Sequence, residues 1–326
     1  MPYYLGLDIG GSNLKIGLLS EDNSLIALQE RKSGEFLTAE QLMEKINEML
    51  STLLTEQNIS KDDILAMGVG VPGYVDNDKG IILNTNNLSF YNYPLRDKFT
   101  QFTGVPIFLG NDANFAALAE SKLGAGRGYK NLVMLTLGTG VGGGIIIDSK
   151  LYTGFNNSAS ELGHHVIRLN GVPCACGRQG CFEVYASATA LIRMTREAIL
   201  HNPASGLAQY VKEQGGKISG RTAFQAAELG DVTAANVISE FIRNVAEGCA
   251  NIINIFMPQL IILGGGISLS GENFLRRVAD ISIDLAYLPS GYPEPQFALA
   301  ELGSNSGVIG AALFAADNIK NFYEHG

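Results

Sequence analysis

The chain has 326 residues, 46 % of them hydrophobic and 17 % charged, with no Trp and a formal charge of −9. That length is long for one hydrophobic core and suits two domains, while the negative charge argues against a general nucleic-acid surface, which needs clustered Lys and Arg. No apolar run is long enough to cross a bilayer, and Met1-Pro2-Tyr3-Tyr4 offers no basic region of an export signal, so a cytoplasmic protein with no membrane partner is expected.

Residues 3–7 read as a strand, Asp8-Ile9-Gly10-Gly11-Ser12-Asn13 as a turn and residues 14–19 as a second strand, making a hairpin with a glycine tip. Leu42, Ile46, Met49, Leu50, Leu53 and Leu54 recur at helical spacing behind Thr38, which suits the N-cap of a helix from Ala39 onward. Residues 64–71 form a strand that stops at Pro72-Gly73, 76–80 a turn, and 84–94, polar and aromatic without a period, a surface loop. A buried strand over 105–109 and a helix over 113–123 put Asn111-Asp112 at a strand-to-helix junction, the sheet edge where open α/β folds place ligands. From the residues alone, the pair reads either as an Asn or Asp helix cap or as placing an acid, Asp112, in a site.

The glycine-rich stretch 124–128 suits a domain crossing. Strand 132–137, glycine turn 138–144 and strand 145–148 then repeat the plan of the first hairpin, which signals an internal duplication. Helices are expected over 186–200 and 233–256, a strand over 260–263, a third glycine turn at Gly264-Gly265-Gly266, and a loop over 288–296 carrying Pro289, Pro293 and Pro295. The last helix, from about 307 to 322, opens with small residues (Gly310, Ala311, Ala312) that admit a close neighbour. The division that follows is a small domain over 1–123, with the segment 307–326 packing back on it, and a larger one over 124–306.

Backbone N–H groups in glycine turns form anion-binding concavities. Gly138-Thr139-Gly140-Val141-Gly142-Gly143 matches G-x-G-x-x-G, but Ile145-Ile146-Ile147 continues as strand where a dinucleotide-binding fingerprint opens a helix, and no Gly-Lys-Ser/Thr follows for a P-loop. A phosphate-binding hairpin fits both observations. Further on, Glu161-Leu162-Gly163-His164 precedes Cys174, Cys176 and Cys181. One His and three Cys suit a closed structural Zn²⁺ site without Lewis-acid chemistry; a labile disulfide or three buried thiols are the alternatives. Cys249, inside a helix, reads as an ordinary buried thiol.

Paired hairpins with Asp8 in the first and Thr139 in the second resemble the phosphate motifs of the actin and sugar-kinase superfamily. That resemblance implies an α/β, actin-like ATPase fold of two RNase H-like domains with the active site in the interdomain cleft. With Glu161-x-Gly-His164, Cys174-x-Cys176-Gly-x-x-Gly-Cys181-x-Glu183, Leu137-Gly138-Thr139-Gly140 and Asn111-Asp112, residues from about 5 to 312 resemble the ROK family of cytoplasmic sugar kinases and sugar-responsive repressors. Carried over, the resemblance makes Asp112 the general base, with a helix dipole to keep it ionised. It gives the sugar hydroxyls to Asn111, Glu161, His164 and Glu183 with the backbone near Gly73, and zinc to His164, Cys174, Cys176 and Cys181. ATP would lie on Asp8, Gly10, Gly11, Ser12, Asn13 and Lys15, on Leu137, Gly138, Thr139, Gly140, Gly142 and Gly143, and on Gly264 and Gly265, with Mg²⁺ oriented by Asp8. His165 is left to packing or surface. Ser12-Asn13 stands where the family more often has Thr after the glycine pair, which keeps the hydroxyl.

The implied reaction is ATP-dependent phosphorylation of a hexose 6-hydroxyl. Glucose comes first, because residues 222–266 resemble the glucokinase branch, with N-acetylglucosamine, mannose and fructose as alternatives. A homodimer is the common family assembly. A repressor on the same fold would carry a basic helix-turn-helix ahead of the first turn, where seven residues precede Asp8.

Overall fold

The computed structural model describes residues 2–11, 13–33, 38–77, 79–85 and 90–325. Strand β1 (Tyr3–Ile9) pairs antiparallel with β2 (Asn13–Ser20), β2 antiparallel with β3 (Leu25–Lys32), and β1 runs parallel to β4 (Ile64–Val71). Strands β5 (Tyr74–Asp76), β6 (Ile81–Asn84) and β7 (Tyr91–Tyr93) then make a small antiparallel sheet. β8 (Ile107–Asn111) returns parallel to β4, so the first sheet is ordered β3-β2-β1-β4-β8.

The second sheet repeats that plan strand for strand. β9 (Leu132–Leu137) pairs antiparallel with β10 (Val141–Ile147), β10 antiparallel with β11 (Lys150–Leu151), and β9 runs parallel to β12 (Leu260–Gly264), itself parallel to β13 (Gln296–Leu299). The duplication read from the hairpins is therefore a duplication of whole sheets.

Helix α1 (Ala39–Glu56) starts where expected, with a capping box: Gln41 N–H donates to Thr38 Oγ1 at 3.3 Å and Thr38 N–H to Gln41 Oε1 at 3.0 Å. Its Leu42, Ile46 and Leu50 cover one face of the first sheet together with Phe99 of α2 (Leu95–Thr103). Helix α3 (Asp112–Leu123) follows β8, and its residues 113–120 are all buried. A helix without a polar face is a core element. Leu118 and Ala119 of α3 pack toward the first sheet, while Ala116 and Ala117 pack on Leu132, Met134, Ile146 and Leu260 of the second.

In the second half, α4 (Glu183–Ala186), α5 (Ala188–His201), α6 (Gly206–Glu213) and α7 (Thr222–Glu228) precede the long α8 (Val232–Phe256) and α9 (Glu272–Leu285). Phe241, Ile242 and Val245 of α8 and Val278 of α9 share the core beneath β9 and β12.

The last helix, α10 (Ser306–His325), lies on the other face of the first sheet through Val308, Ile309 and Ala312. It can do so because Gly17, Gly6 and Gly68 are register partners across β2, β1 and β4 and leave a trough. A Cβ on Gly6 would overlap the carbonyl oxygen of Val308, and one on Gly68 that of Ala311; Gly310 likewise admits the Phe115 carbonyl of α3.

Residues 84–94 differ from the expected loop: Asn84 ends β6 and Tyr91–Tyr93 is β7, strands too short to display a period, with 86–89 outside the described residues. Strands β3, β5, β6, β11 and β13 and helices α2, α4, α6 and α9 answer to no expectation from the sequence. Among the described residues no helix is long and apolar enough to cross a membrane.

Candidate active site

Asn111 closes β8, and its Oδ1 accepts the N–H groups of Ala113 at 2.9 Å and Asn114 at 3.2 Å, so Asn111 is the cap of α3. Of the expected Asn or Asp cap, the structure shows the Asn, and Asn111 keeps its Nδ2 as a donor. Asp112, partly buried, accepts the Ala113 N–H at 2.8 Å, which lowers its pKa, yet desolvation by burial is the larger effect and raises it. Burial thus works against the helix start expected to favour the ionised form, and the net direction is upward. Asp8, near the end of β1, is lifted to about 7 by burial and by the Asp112 charge, with Lys15 pulling down.

The two hairpin tips are held by different means. Gly10 N–H donates to Asn13 O at 2.9 Å, and Ser33 Oγ to Gly10 O at 2.6 Å. In the second, Gly138 N–H donates to Gly140 O at 3.0 Å, while Ala188 N–H binds Gly138 O at 2.8 Å and Thr189 Oγ1 binds Thr139 O at 2.7 Å. Open space lies where Gly138 would carry a Cβ, as an approaching anion requires. Ser12 lies outside the described residues. Ser33 and Thr189 carried no sequence signal, since single hydroxyls in loops and first turns are common.

Four of the expected nucleotide residues do something else. Lys15 is buried, and its ammonium donates to Ser304 O at 2.7 Å, Ser304 Oγ at 2.8 Å and Asn305 Oδ1 at 3.1 Å, with Glu30 at 3.6 Å. Its three donors are spent on the chain before α10 and not on a phosphate. Gly142 and Gly143 are strand residues of β10, where the missing side chains admit Ala113 of α3 and Leu162. Gly264 is buried at the end of β12 against Met134 and Ala300, so the exposed glycines of the third turn are Gly265 and Gly266. Gly265, at φ +82°, crosses the backbone of Leu137, whose carbonyl takes the Ile267 N–H at 3.1 Å, so the third turn is fastened to the root of the second.

The acids expected on the sugar side act electrostatically on one another and with Asp112. Glu161 stands at an exposed rim; desolvation raises its carboxyl, His164 lowers it, and Asp112 and Glu183 raise it. Glu183 Oε2 accepts the Val141 N–H at 2.9 Å, tying the first residue of α4 to the second hairpin. Gly73, at φ +113°, follows Pro72 at the end of β4. The adjoining Tyr74, which went unread, has its hydroxyl raised by the Glu161 charge, by burial and by Cys176. It reaches across from the first half.

The Cys/His loop is shaped by its own backbone hydrogen bonds. Gly180 N–H donates to Val172 O at 2.9 Å, Ile167 N–H to Gly180 O at 2.9 Å and Cys174 N–H to Arg178 O at 2.8 Å. Ligand atoms of His164, Cys174, Cys176 and Cys181 all lie within 4.8 Å of one another. Cys174 Sγ is 3.7 Å from His164 Nδ1 and Cys176 Sγ 3.6 Å from Cys181 Sγ, close to the edge of about 3.8 Å that tetrahedral Zn–S bonds of ~2.3 Å produce. All four cysteines are free, which sets the disulfide alternative aside, and the donor set fits zinc. With Nδ1 toward the cysteines, His164 has Nε2 left for another partner. His165 packs, its ring 5.0 Å from Phe182 and its Nδ1 2.6 Å from Leu162 O. Cys249 is buried, which pushes its thiol up to about 12.

Comparison with known proteins gives a consistent setting for this site. The family model described as "ROK family" matches residues 4–318. A protein of Halalkalibacterium halodurans named glucokinase is 34 % identical over 310 residues, 94 % of this chain and 93 % of the relative. The crystal structure of a ROK family glucokinase from Streptomyces griseus, in complex with glucose and AMPPNP, superposes with a TM-score of 0.82 at 33 % identity, covering 97 % of this chain and 99 % of that one. A ROK hexokinase from Thermus thermophilus gives 0.83 at 29 % identity, covering 98 % and 99 %.

Proposed function

The chain belongs to the ROK family, and from that premise we propose that it transfers the γ-phosphoryl group of ATP to the 6-hydroxyl of a hexose, glucose first. The observation that carries the reading is that the Asp112 charge acts on both Asp8 and Glu161, in a chain with two glycine hairpins built to one plan.

In this reading Asp112 accepts the proton of the 6-hydroxyl as that oxygen attacks, and burial gives the carboxylate a proton affinity above the ordinary carboxylate value. Asn111 Nδ2, Glu161, His164 Nε2 and Glu183 hold the remaining hydroxyls. Phosphoryl transfer asks mainly for positioning and charge stabilisation, so the hairpin N–H groups at Gly11 and at Thr139-Gly140 cradle phosphate oxygens, while those of Gly10 and Gly138 close their own turns. Bound Mg²⁺ would supply charge neutralisation beside Asp8, and Gly265-Gly266 would lie under the nucleoside. Zinc on His164, Cys174, Cys176 and Cys181 would fix the ring that faces the sugar and take no part in the chemistry.

A coupled assay with ATP–Mg²⁺ across glucose, N-acetylglucosamine, mannose and fructose tests the reading. The expected result is turnover with the highest kcat/KM for glucose. No turnover with any of the four sugars would overturn it.

A further inference from the structure

The chain passes between the two sheets twice, from α3 to β9 and from β13 to α10. Both passages end on one buried carboxylate. Glu120, fully buried in α3, accepts the Ala125 N–H at 3.0 Å from the first passage. From the second it accepts the N–H groups of Glu301 at 3.1 Å and Leu302 at 2.8 Å. Its own carbonyl takes the N–H groups of Gly124 at 3.1 Å and Gly126 at 2.9 Å, and a Cβ on Gly124 would overlap its carboxylate. The second passage has a further anchor in Lys15, through Ser304 and Asn305.

A buried carboxylate is costly unless its lone pairs are met, and three backbone donors make this one a fixed point. The segments around it, 124–128 and 300–305, are turns and a single short helical turn, the kind of chain that absorbs changes in φ and ψ while packed helices move as bodies. Glu120 also shares its helix with Asp112, eight residues earlier, an arm of about 12 Å at 1.5 Å per residue. A rotation of roughly 5° about Glu120 therefore shifts whatever faces Asp112 by about 1 Å, and misplacement on that scale costs on the order of 10²-fold in rate.

We propose that Glu120 is the pivot for the relative motion of the two halves, a positioning residue that sets where the second hairpin meets Asp112. The inference rests on the phosphoryl-transfer reading above. Its test is Glu120→Gln, which keeps the volume and turns one acceptor into a donor, with kcat, KM for both substrates and the glucose-induced change in radius of gyration by X-ray scattering measured below the melting temperature. The expected result is a kcat lower by roughly 10- to 100-fold, little change in either KM, and an altered contraction on adding glucose. A merely structural Glu120 lowers the melting temperature and leaves kcat and contraction unchanged, which would overturn the pivot.

Should the variant not fold, hydrogen exchange on the unaltered chain decides. The amides of Ala125, Glu301 and Leu302 are expected to keep equal protection with and without glucose, and a glucose-dependent change at those three would overturn the proposal. An unaltered chain that phosphorylates no hexose would sink the reaction and leave the exchange result to judge the pivot.

Discussion

Asp8, near the end of β1, and Asp112, the first residue of α3, lie within electrostatic reach of one another, and after burial the Asp112 charge is the next reason that the Asp8 carboxyl stands at about 7. Two like charges held together in a partly buried place oppose folding, and such conflicts collect where function requires them. The arrangement is suited to receive positive charge between the acids, and its cost to the folded chain is measurable.

That cost has a definite sign. Asp8 titrates at about 7 in the folded chain against 3.8 for a free carboxyl, so between those values the folded chain keeps a proton that the unfolded chain has released. Stability therefore falls as pH rises through that window. Without Mg²⁺ or nucleotide, the melting temperature is expected to drop between about pH 4.5 and pH 7.5, and Asp8→Asn is expected to flatten that slope and melt higher at the upper end. Thermal melts of both proteins across the range check this, and parallel slopes would remove Asp8 as the cause.

Asp112→Asn should leave α3 intact, because Asn111 caps it. Sugar and ATP binding by calorimetry are expected to be retained while kcat falls about 10²–10⁴-fold for the lost base. Burial raises the Asp112 carboxyl, so the acid limb of kcat is expected above the ordinary carboxylate range, with activity lost as pH falls through it. Near-normal turnover in the variant would exclude Asp112 as the base.

The backbone plan was legible because glycine clusters at strand ends and β-branched runs declare themselves in short windows, and both hairpins stand where residues 8–13 and 138–144 put them. The Cys/His set was legible as residue types at fixed spacing, and the place of Asp112 at a strand-to-helix junction from the patterns on either side of it. What the sequence hid is long-range. Nothing near Lys15 announces Ser304, 289 residues away, and nothing near Glu120 announces Leu302. Gly142 and Gly143 share a run with Gly138 and Gly140, and only the packing of Ala113 and Leu162 separates the strand glycines from the turn glycines.

Zinc removal should be felt unequally by the two substrates. The Cys/His loop carries His164, and Glu183 follows Cys181 by two residues, while the Gly10 and Gly138 tips are held by Ser33, Ala188 and Thr189. Chelation, or Cys181→Ser, is therefore expected to raise the KM for glucose well above its effect on the KM for ATP and to lower the melting temperature, with one zinc per chain by metal analysis. Equal loss of both affinities, or freshly purified protein without zinc, would contradict this arrangement.

The glycine trough beneath α10 separates two substitutions that look alike in sequence. A Cβ on Gly68 would meet the carbonyl of Ala311, backbone that cannot yield without moving α10 as a body, and the helix is itself locked by the approach of Gly310 to Phe115. A Cβ on Gly17 would meet side-chain methyls only, Val308 Cγ2 at 3.1 Å, which must give by a few tenths of an ångström, and Leu25 Cδ1 at 3.3 Å, whose exposed side chain can turn aside. Gly68→Ala is expected to cost about 3 kcal/mol or more, the upper end of overpacking. Gly17→Ala is expected to fall within about 1 kcal/mol of zero, since a strand interior gains from losing a glycine. Denaturant unfolding of both variants measures the difference. The damage at Gly68 should also reach catalysis, because the first turn of α10 lies against Asp8, where a Cβ on Gly307 would stand 2.6 Å from its Oδ2. At a temperature where Gly68→Ala is still folded, its kcat is expected to be lower than that of Gly17→Ala, and equal values would mean that α10 can shift without disturbing Asp8.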